Sequence, residues 1–147
     1  MKVPMGNLFW NYGAKGAEVS AAVAAVGTFL VGILGGWDFM MIALLWAMGL
    51  DVLLGLLCAV KVRNVDSQVM LWGGINKVLV LLFVAFGVVM DRALSFDNPY
   101  IRTAIICFYL GREGLSIIEN SAKLGMPWPG FITALLEQLK ERGEKGK

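Results

Sequence analysis

The stretch that decides the fold runs from Phe39 to Val60 and reads FMMIALLWAMGLDVLLGLLCAV, with a single ionisable residue, Asp51, at its centre. A helix crossing the bilayer core needs about 20 residues at a rise of about 1.5 Å each, and this stretch meets that length. Its eleven Leu, Ile, Val and Phe residues contribute about −0.3 to −0.6 kcal/mol each on the insertion scale, against about +2.5 to +3.5 kcal/mol for a central Asp, so insertion stays favourable. Working outward, three more apolar stretches appear: Val19 to Leu34, Val78 to Met90, and a compromised one from Thr103 to Ile118. The run from Ala14 to Leu34 is long enough to span if Glu18 lies near the headgroups, and Leu71 to Met90 is long enough if Lys77 snorkels to the interface.

Composition agrees. The chain of 147 residues is 58% hydrophobic and 16% charged, whereas a soluble domain has roughly 45 to 50% apolar residues and about a quarter charged. A mean hydropathy of +0.70 leaves too little polar side chain to cover a water-facing surface. The expectation is an all-α integral membrane protein with about four transmembrane helices plus a short C-terminal amphipathic helix. Residues 1–142 form a single transmembrane domain and 143–147 a charged, disordered cytoplasmic tail.

Orientation follows from Lys and Arg. Lys2, Lys15, Lys61, Arg63, Lys77, Lys123, Lys140, Arg142, Lys145 and Lys147 fall on one side of four spans, and Arg92 and Arg102 on the other, with Arg112 inside a span. Positive loops stay cytoplasmic, so both termini are expected there, in a bacterial cytoplasmic membrane, with Gly35 to Asp38 and Asp91 to Arg102 outside. Trp10, Tyr12, Trp37, Phe39, Trp72, Phe96, Tyr100 and Trp128 fall where spans meet the interface. A cleaved signal peptide is the rival reading of the first stretch. The passage through Gly35-Gly36-Trp37-Asp38 straight into the next span favours a tight hairpin instead. Val65 to Trp72 reads as a short interfacial helix starting at Asp66 or Ser67 and ended by Gly73-Gly74. Beyond Pro127 and Pro129, Phe131 to Arg142 places Ile132, Leu135, Leu136 and Leu139 on one face, an amphipathic helix lying on the membrane or a partner.

Ionisable groups inside a membrane are costly and so mark function. Ala43, Ala47, Asp51, Gly55 and Ala59 recur in steps of four, which suggests a small-sided helix face carrying a carboxylate at mid-depth. Such an Asp serves a bond within the protomer, a subunit contact, a water-filled path or a proton relay. In the fourth stretch, Arg102, Tyr109, Arg112, Glu113, Ser116, Glu119, Asn120 and Lys123 fall within an arc of about 120° at 3.6 residues per turn. Ala104, Cys107, Gly111, Gly114 and Ile118 lie opposite, a small packable face. Arg112 and Glu113 cost about +2.5 to +3.5 kcal/mol each when unpaired, which cancels the apolar gain, so this helix does not insert stably by itself. Its stripe is either a satisfied intramolecular network or the lining of a wet lumen.

Other chemistries lack their residues. The chain has no histidine, and Cys58 and Cys107 each stand alone in an apolar run, so no metal set, cofactor site or disulfide framework is expected. Catalytic nucleophile sets, a Walker lysine motif and a nucleic-acid patch are likewise missing, and no enzyme activity is expected.

Several motifs together carry a family likeness. They are Gly35-Gly36-Trp37-Asp38, Leu50-Asp51 with Gly55 running on to Lys61, Gly74-Ile75-Asn76-Lys77-Val78, Asp91, Arg102-Thr103 and Phe108-Tyr109. Glu113-Gly114-Leu115-Ser116-Ile117-Ile118-Glu119-Asn120 follows, then Gly125, Pro127 and the closing Leu-rich helix. From about residue 19 to 140 the chain resembles the small bacteriophage holins grouped with clostridial toxin-secretion holins. Arg112 departs from that pattern, which has a neutral or polar residue before the Glu. The resemblance implies a protein that accumulates in the bacterial cytoplasmic membrane, forms homo-oligomers and opens lesions releasing an endolysin or a toxin for host cell lysis. It also raises a second start at Met5, since some holins pair two products differing by one N-terminal charge. A small-ion channel or transporter subunit, and a non-conducting antiholin or membrane scaffold, are the competing classes.

Overall fold

The structure, a computed structural model, describes the backbone of residues 6–63 and 66–145 and the side-chain surroundings of residues 16–63, 66–135, 137 and 138. Met5, Val65 and the side chains of Lys15, Leu136 and Leu139 lie outside the described residues. Five helices follow in order: α1 Gly6–Leu34, α2 Phe39–Val62, α3 Ser67–Ala93, α4 Tyr100–Leu124 and α5 Gly130–Lys145. Among the described residues three are long and apolar enough to cross a membrane, in the segments Gly16–Leu34, Phe39–Val62 and Ser67–Ala93. The chain divides into two units, Met1–Trp37 and Asp38–Lys147. In the first, α1 ends where Gly35 and Gly36 take φ of 81° and 104°, a left-handed exit that glycine adopts without strain.

Within the second unit α4 packs against both α2 and α3. The α2 seam is Met41, Leu44, Met48, Asp51, Gly55 and Cys58, the first three buried and the rest half-buried. The α3 seam is Lys77, Val80, Val84, Gly87 and Asp91, all but the half-buried Lys77 buried. Both alternate steps of three and four, the period that keeps a helix aligned with a neighbour at a shallow crossing angle. The step-of-four face expected on α2 coincides with this seam only in part. Four residues turn a helix by about 400°, so each step drifts about 40° and Ala43 to Ala59 wind around the helix rather than down one side. Ala43 is exposed, Ala47 and Ala59 half-buried, and only Asp51 and Gly55 lie on the seam.

Caps set the helix starts. Asp38 caps α2 by accepting from the Met41 N–H at 2.8 Å, and Asp66 caps α3 by accepting from the Gln68 N–H at 2.8 Å. The start at Asp66 and Ser67 is as expected, but the short interfacial helix is not found: α3 continues through Gly73-Gly74 to Ala93. Glycine costs about 1 kcal/mol each in a helix interior, too little to end a helix whose following seam is buried. Pro99 at the N-cap of α4 makes no side-chain cap bond, and the task falls to the buried Asp91, which accepts from the N–H groups of Ile101 and Arg102 at 2.8 and 2.9 Å. At the far end, α5 runs through Gly143 to Lys145, so these three residues are helical rather than an unstructured tail. Once a helix is nucleated, each added residue gains a backbone hydrogen bond.

The core is one-sided. Met41, Leu44, Met48, Val80, Val84, Val88 and Ile106 are buried, all between the midpoint of the unit and its Asp38 end. Gly87 makes the closest approach, since a Cβ there would stand 2.9 Å from the Arg102 Cα. By contrast nothing lies within 4 Å of a Cβ placed at Gly111 or Gly114. Gly87→Ala should therefore lower stability by about 1 to 3 kcal/mol through overpacking against backbone, while Gly111→Ala should be neutral or stabilising by up to about 1 kcal/mol. Thermal unfolding of both variants in detergent checks this, and equal melting temperatures would refute the close approach.

Candidate functional site

Asp51, Lys77 and Glu113, each near the middle of its own helix, meet inside the second unit. The Lys77 ammonium donates to Asp51 Oδ2 at 3.0 Å and to Glu113 Oε2 at 2.5 Å, with side-chain exposures of 16%, 18% and 6% for Lys77, Asp51 and Glu113. Asn120 Nδ2 donates to Asp51 Oδ1 at 3.2 Å, and the Asn120 carbonyl accepts from Cys58 Sγ at 3.2 Å. One lysine thus ties α2, α3 and α4 together. Lys77 was expected to snorkel, and this is corrected: two carboxylates within reach hold it at mid-helix, because a buried ion pair supported by hydrogen bonds offsets its desolvation. Of the ten positive charges expected on one side of the spans, Lys77 is thus held at mid-helix instead.

A second set lies at the Asp38 end. Arg102 is 1% exposed and its guanidinium pairs with Asp38, while its own N–H is bound by Asp91. That hydrogen bonding from Arg102 is the largest influence on Asp38 and holds its carboxyl below the ordinary carboxylate range, aided by the Met41 N–H and opposed by desolvation. At the opposite end Lys61 Nζ donates to the Lys123 carbonyl at 2.9 Å, a cation on the C-terminal turn of α4. Trp128 Nε1 donates to the buried Ser121 Oγ at 2.9 Å, fastening the turn after Gly125 onto α4.

The polar stripe of α4 is split in two by this packing. Arg102, Glu113 and Asn120 point into the unit, near the line facing α2 and α3. Arg112 and Glu119 are exposed and Ser116 half-buried, on the flank beside α3. Glu119 pairs with Lys123 at 2.7 Å, and Arg112 makes no ion pair among the described residues. Tyr109 lies between the halves, its ring 6.1 Å from Phe83 and 5.3 Å from Phe108. Gly111 is exposed and Gly114 half-buried, and neither is used in packing within the unit. Sequence reasoning missed the roles of Lys77, Asp91, Asp38 and Gly87. The signal for Lys77 was a lone cation three and seven residues before Val80 and Val84 on one seam. For Asp91 it was a helix start at Pro99 that lacked a capping side chain.

Two hollows flank the cluster. A cleft of about 540 Å³ opens between α2 and α3 toward the Lys61 end, with Gly55, Leu56 and Met70 among its walls and Asp51, Lys77 and Asn120 at its polar side. A smaller one of about 100 Å³ is bordered by Asn76, Arg112 and Ser116 beside Lys77 and Glu113. Among the described residues no group of three or more His, Cys, Asp or Glu side chains is placed to hold a metal ion. What the arrangement can do is hold charge at mid-helix and present polar groups on one flank.

Comparison with known proteins places this geometry in context. Residues 28–141 match the model of the bacteriophage holin family. An uncharacterized protein of Clostridium perfringens (strain 13 / Type A) is 36% identical over 124 residues, covering 84% of this chain and 92% of its own. A second Clostridium perfringens protein, an uncharacterized 14.9 kDa product of the nagH 3' region, is 36% identical over 120 residues, covering 82% and 91%. A probable holin of Bacillus phage phi105 is 29% identical over 96 residues, covering 65% and 70%. No solved structure matches the chain.

Lys77→Met should cost about 3 to 5 kcal/mol, because it strands two carboxylates away from water. Adding Asp51→Asn and Glu113→Gln should recover most of that loss. Thermal unfolding in detergent decides it, and an unchanged melting temperature in Lys77→Met would disprove the bridge. A pH series tests the other end. A carboxyl lowered in the folded state stabilises fully above its unfolded value of about 3.9 and loses that contribution as pH falls through the lowered folded value. The stability advantage of the parent over Asp38→Asn should thus be constant near neutrality and disappear below about pH 4; an advantage unchanged by acid would contradict it.

Proposed function

Because the chain belongs to the bacteriophage holin family, we propose that it oligomerises in the bacterial cytoplasmic membrane and opens lesions through which an endolysin, or a secreted toxin, leaves the cell. The observation that carries this reading is the division of the α4 stripe. Half of it is satisfied inside the unit by Lys77, Asp51, Asp38 and Asp91. The other half remains on the surface of a unit whose remaining flanks carry exposed Leu, Val and Phe.

In this reading α4 crosses the membrane as a fourth span. It is too polar to insert alone, yet its Arg102 end is fastened to α2 by Asp38 and its Lys123 end by Lys61, so it accompanies α2 and α3 through the bilayer. Both termini are then cytoplasmic, and α5 lies against the cytoplasmic face with Ile132 and Leu135 toward lipid. A lesion-forming protein needs surface that suits lipid when dispersed and water when assembled, and the open half-stripe supplies the second.

Inducible expression in a bacterium with and without a co-expressed endolysin tests this. Abrupt lysis only with endolysin is expected. Ion leak without endolysin release would indicate a small-ion channel, and oligomers without leak a scaffold or antiholin. A phosphatase reporter fused after Lys147 should be inactive, and an active fusion would overturn the four-span topology.

A further inference from the structure

The flank shared by α3 and α4 changes character halfway along. From the middle of α4 toward the Lys61 end it carries Asn76, Arg112, Ser116 and Glu119. From the middle toward the Asp38 end it is an open apolar groove of about 500 Å³ lined by Phe83, Ala104, Phe108 and Tyr109 among others. Elsewhere the exposed side chains turned away from α4 are hydrocarbon-like, Leu53 and Leu57 on α2 and Leu79, Leu82 and Phe86 on α3. In the α2–α3 cleft Asp51, Lys77 and Asn120 are already bonded to one another, whereas the α3–α4 flank mismatches lipid over half its height.

Arg112 stands at the thirteenth of the 25 residues of α4 and borders the same small hollow as Lys77 and Glu113. A guanidinium at that depth against acyl chains costs several kcal/mol. The carboxylates bordering the same hollow, Asp51 and Glu113, are already bonded by Lys77, and Glu119 by Lys123. A second copy inserted in the same orientation brings its own Arg112 to the same depth. A dry, symmetric contact would then set like charges against each other, so the polar half is satisfied only with water between the copies. The aromatic half needs no water, since its exposed Phe83 and Phe108 suit an apolar surrounding, whether acyl chains or the same rings of a second copy.

We propose that copies of this chain face one another across the α3–α4 flank. Its polar half, Asn76, Arg112, Ser116 and Glu119, encloses water continuous with the Lys61 end, and its aromatic half, Phe83, Phe108 and Tyr109, is the hydrophobic seal closing the other end. Apolar constrictions block ions by excluding water, so opening the lesion means parting the aromatic half. The inward-facing Arg102, Glu113 and Asn120 are then positioning residues of the bundle rather than wall.

The inference rests on the holin reading, and the test separates the two. In a Cys58→Ser, Cys107→Ser chain, single cysteines are placed at Ser116, Ala104 and the lipid-facing Leu53, and the full-length protein is expressed in cells. A flexible thiol-to-thiol cross-linker long enough to bridge a water layer should link Ser116→Cys into dimers and leave Leu53→Cys monomeric. In inside-out vesicles prepared before lysis, a membrane-impermeant thiol reagent should modify Ser116→Cys, while Ala104→Cys is protected. Adding Phe108→Ser should abolish the protection at Ala104→Cys and advance lysis. Dimers without modification of Ser116→Cys would mean a dry interface and overturn the proposal, as would cross-linking through Leu53→Cys. Either of those with normal lysis leaves the holin reading standing. The expected labelling with no permeabilisation under any condition would instead refute the holin reading while keeping the flank.

Discussion

The second unit depends on the bridge from Lys77 to Asp51 and Glu113. Each of these residues would be a defect in its helix alone, since a charge at mid-span costs several kcal/mol in hydrocarbon. Brought together they remove one another's cost, and they do so between three different helices. The bridge therefore acts as a register pin. Sliding α4 by one turn along α3, about 5.4 Å, would separate Glu113 from Lys77 and leave the carboxylate uncompensated, with Lys77 held by Asp51 alone. Van der Waals packing of Val80, Val84 and Ile106 would tolerate such a slip far better, because apolar contacts are not directional.

Packing and polarity are arranged in opposition along the unit. Toward the Asp38 end the seams are filled by methionine, leucine and valine, and Gly87 lets α3 and α4 approach until backbone meets backbone. Toward the Lys61 end the seams carry Gly55 and Cys58 on α2, small side chains that leave the cleft between α2 and α3 open. One end of the unit is thus a closed bundle and the other a splayed one, with the charge cluster at the boundary. Under the proposed function, this arrangement places the tight contact where α2 and α4 are joined by Asp38 and Arg102, and the open cleft at the end left to repack on assembly.

Much of this was legible without coordinates. The period and length of the apolar runs located α1, α2 and most of α3, Asp66 marked a helix start but was assigned to a separate short helix, and the sum of apolar gain against Arg112 and Glu113 showed that α4 needs partners. The likeness around residues 113–120 pointed to the family that the match over residues 28–141 bears out. These readings succeed because they rest on local quantities, namely hydrophobicity, capping and helical period, which act along the chain and are written in it.

Partnership was not legible, and it decided the rest. Whether Lys77 reaches for the interface or for a carboxylate depends on where α2 and α4 place Asp51 and Glu113, a matter of three helices and not of the residues around Lys77. The same holds for Asp91, which reads as a loop charge until the start of α4 folds back onto it. It holds most of all for the polar stripe. Its arc of about 120° is a property of one helix, but the line that divides it into an inward half with Arg102, Glu113 and Asn120 and an open half with Arg112, Ser116 and Glu119 is drawn by the neighbours. The sequence determined that α4 carries charge it cannot carry alone; only the tertiary structure decided which charges are met within the protomer, because ion pairs form between groups that the fold, and not the chain, makes adjacent.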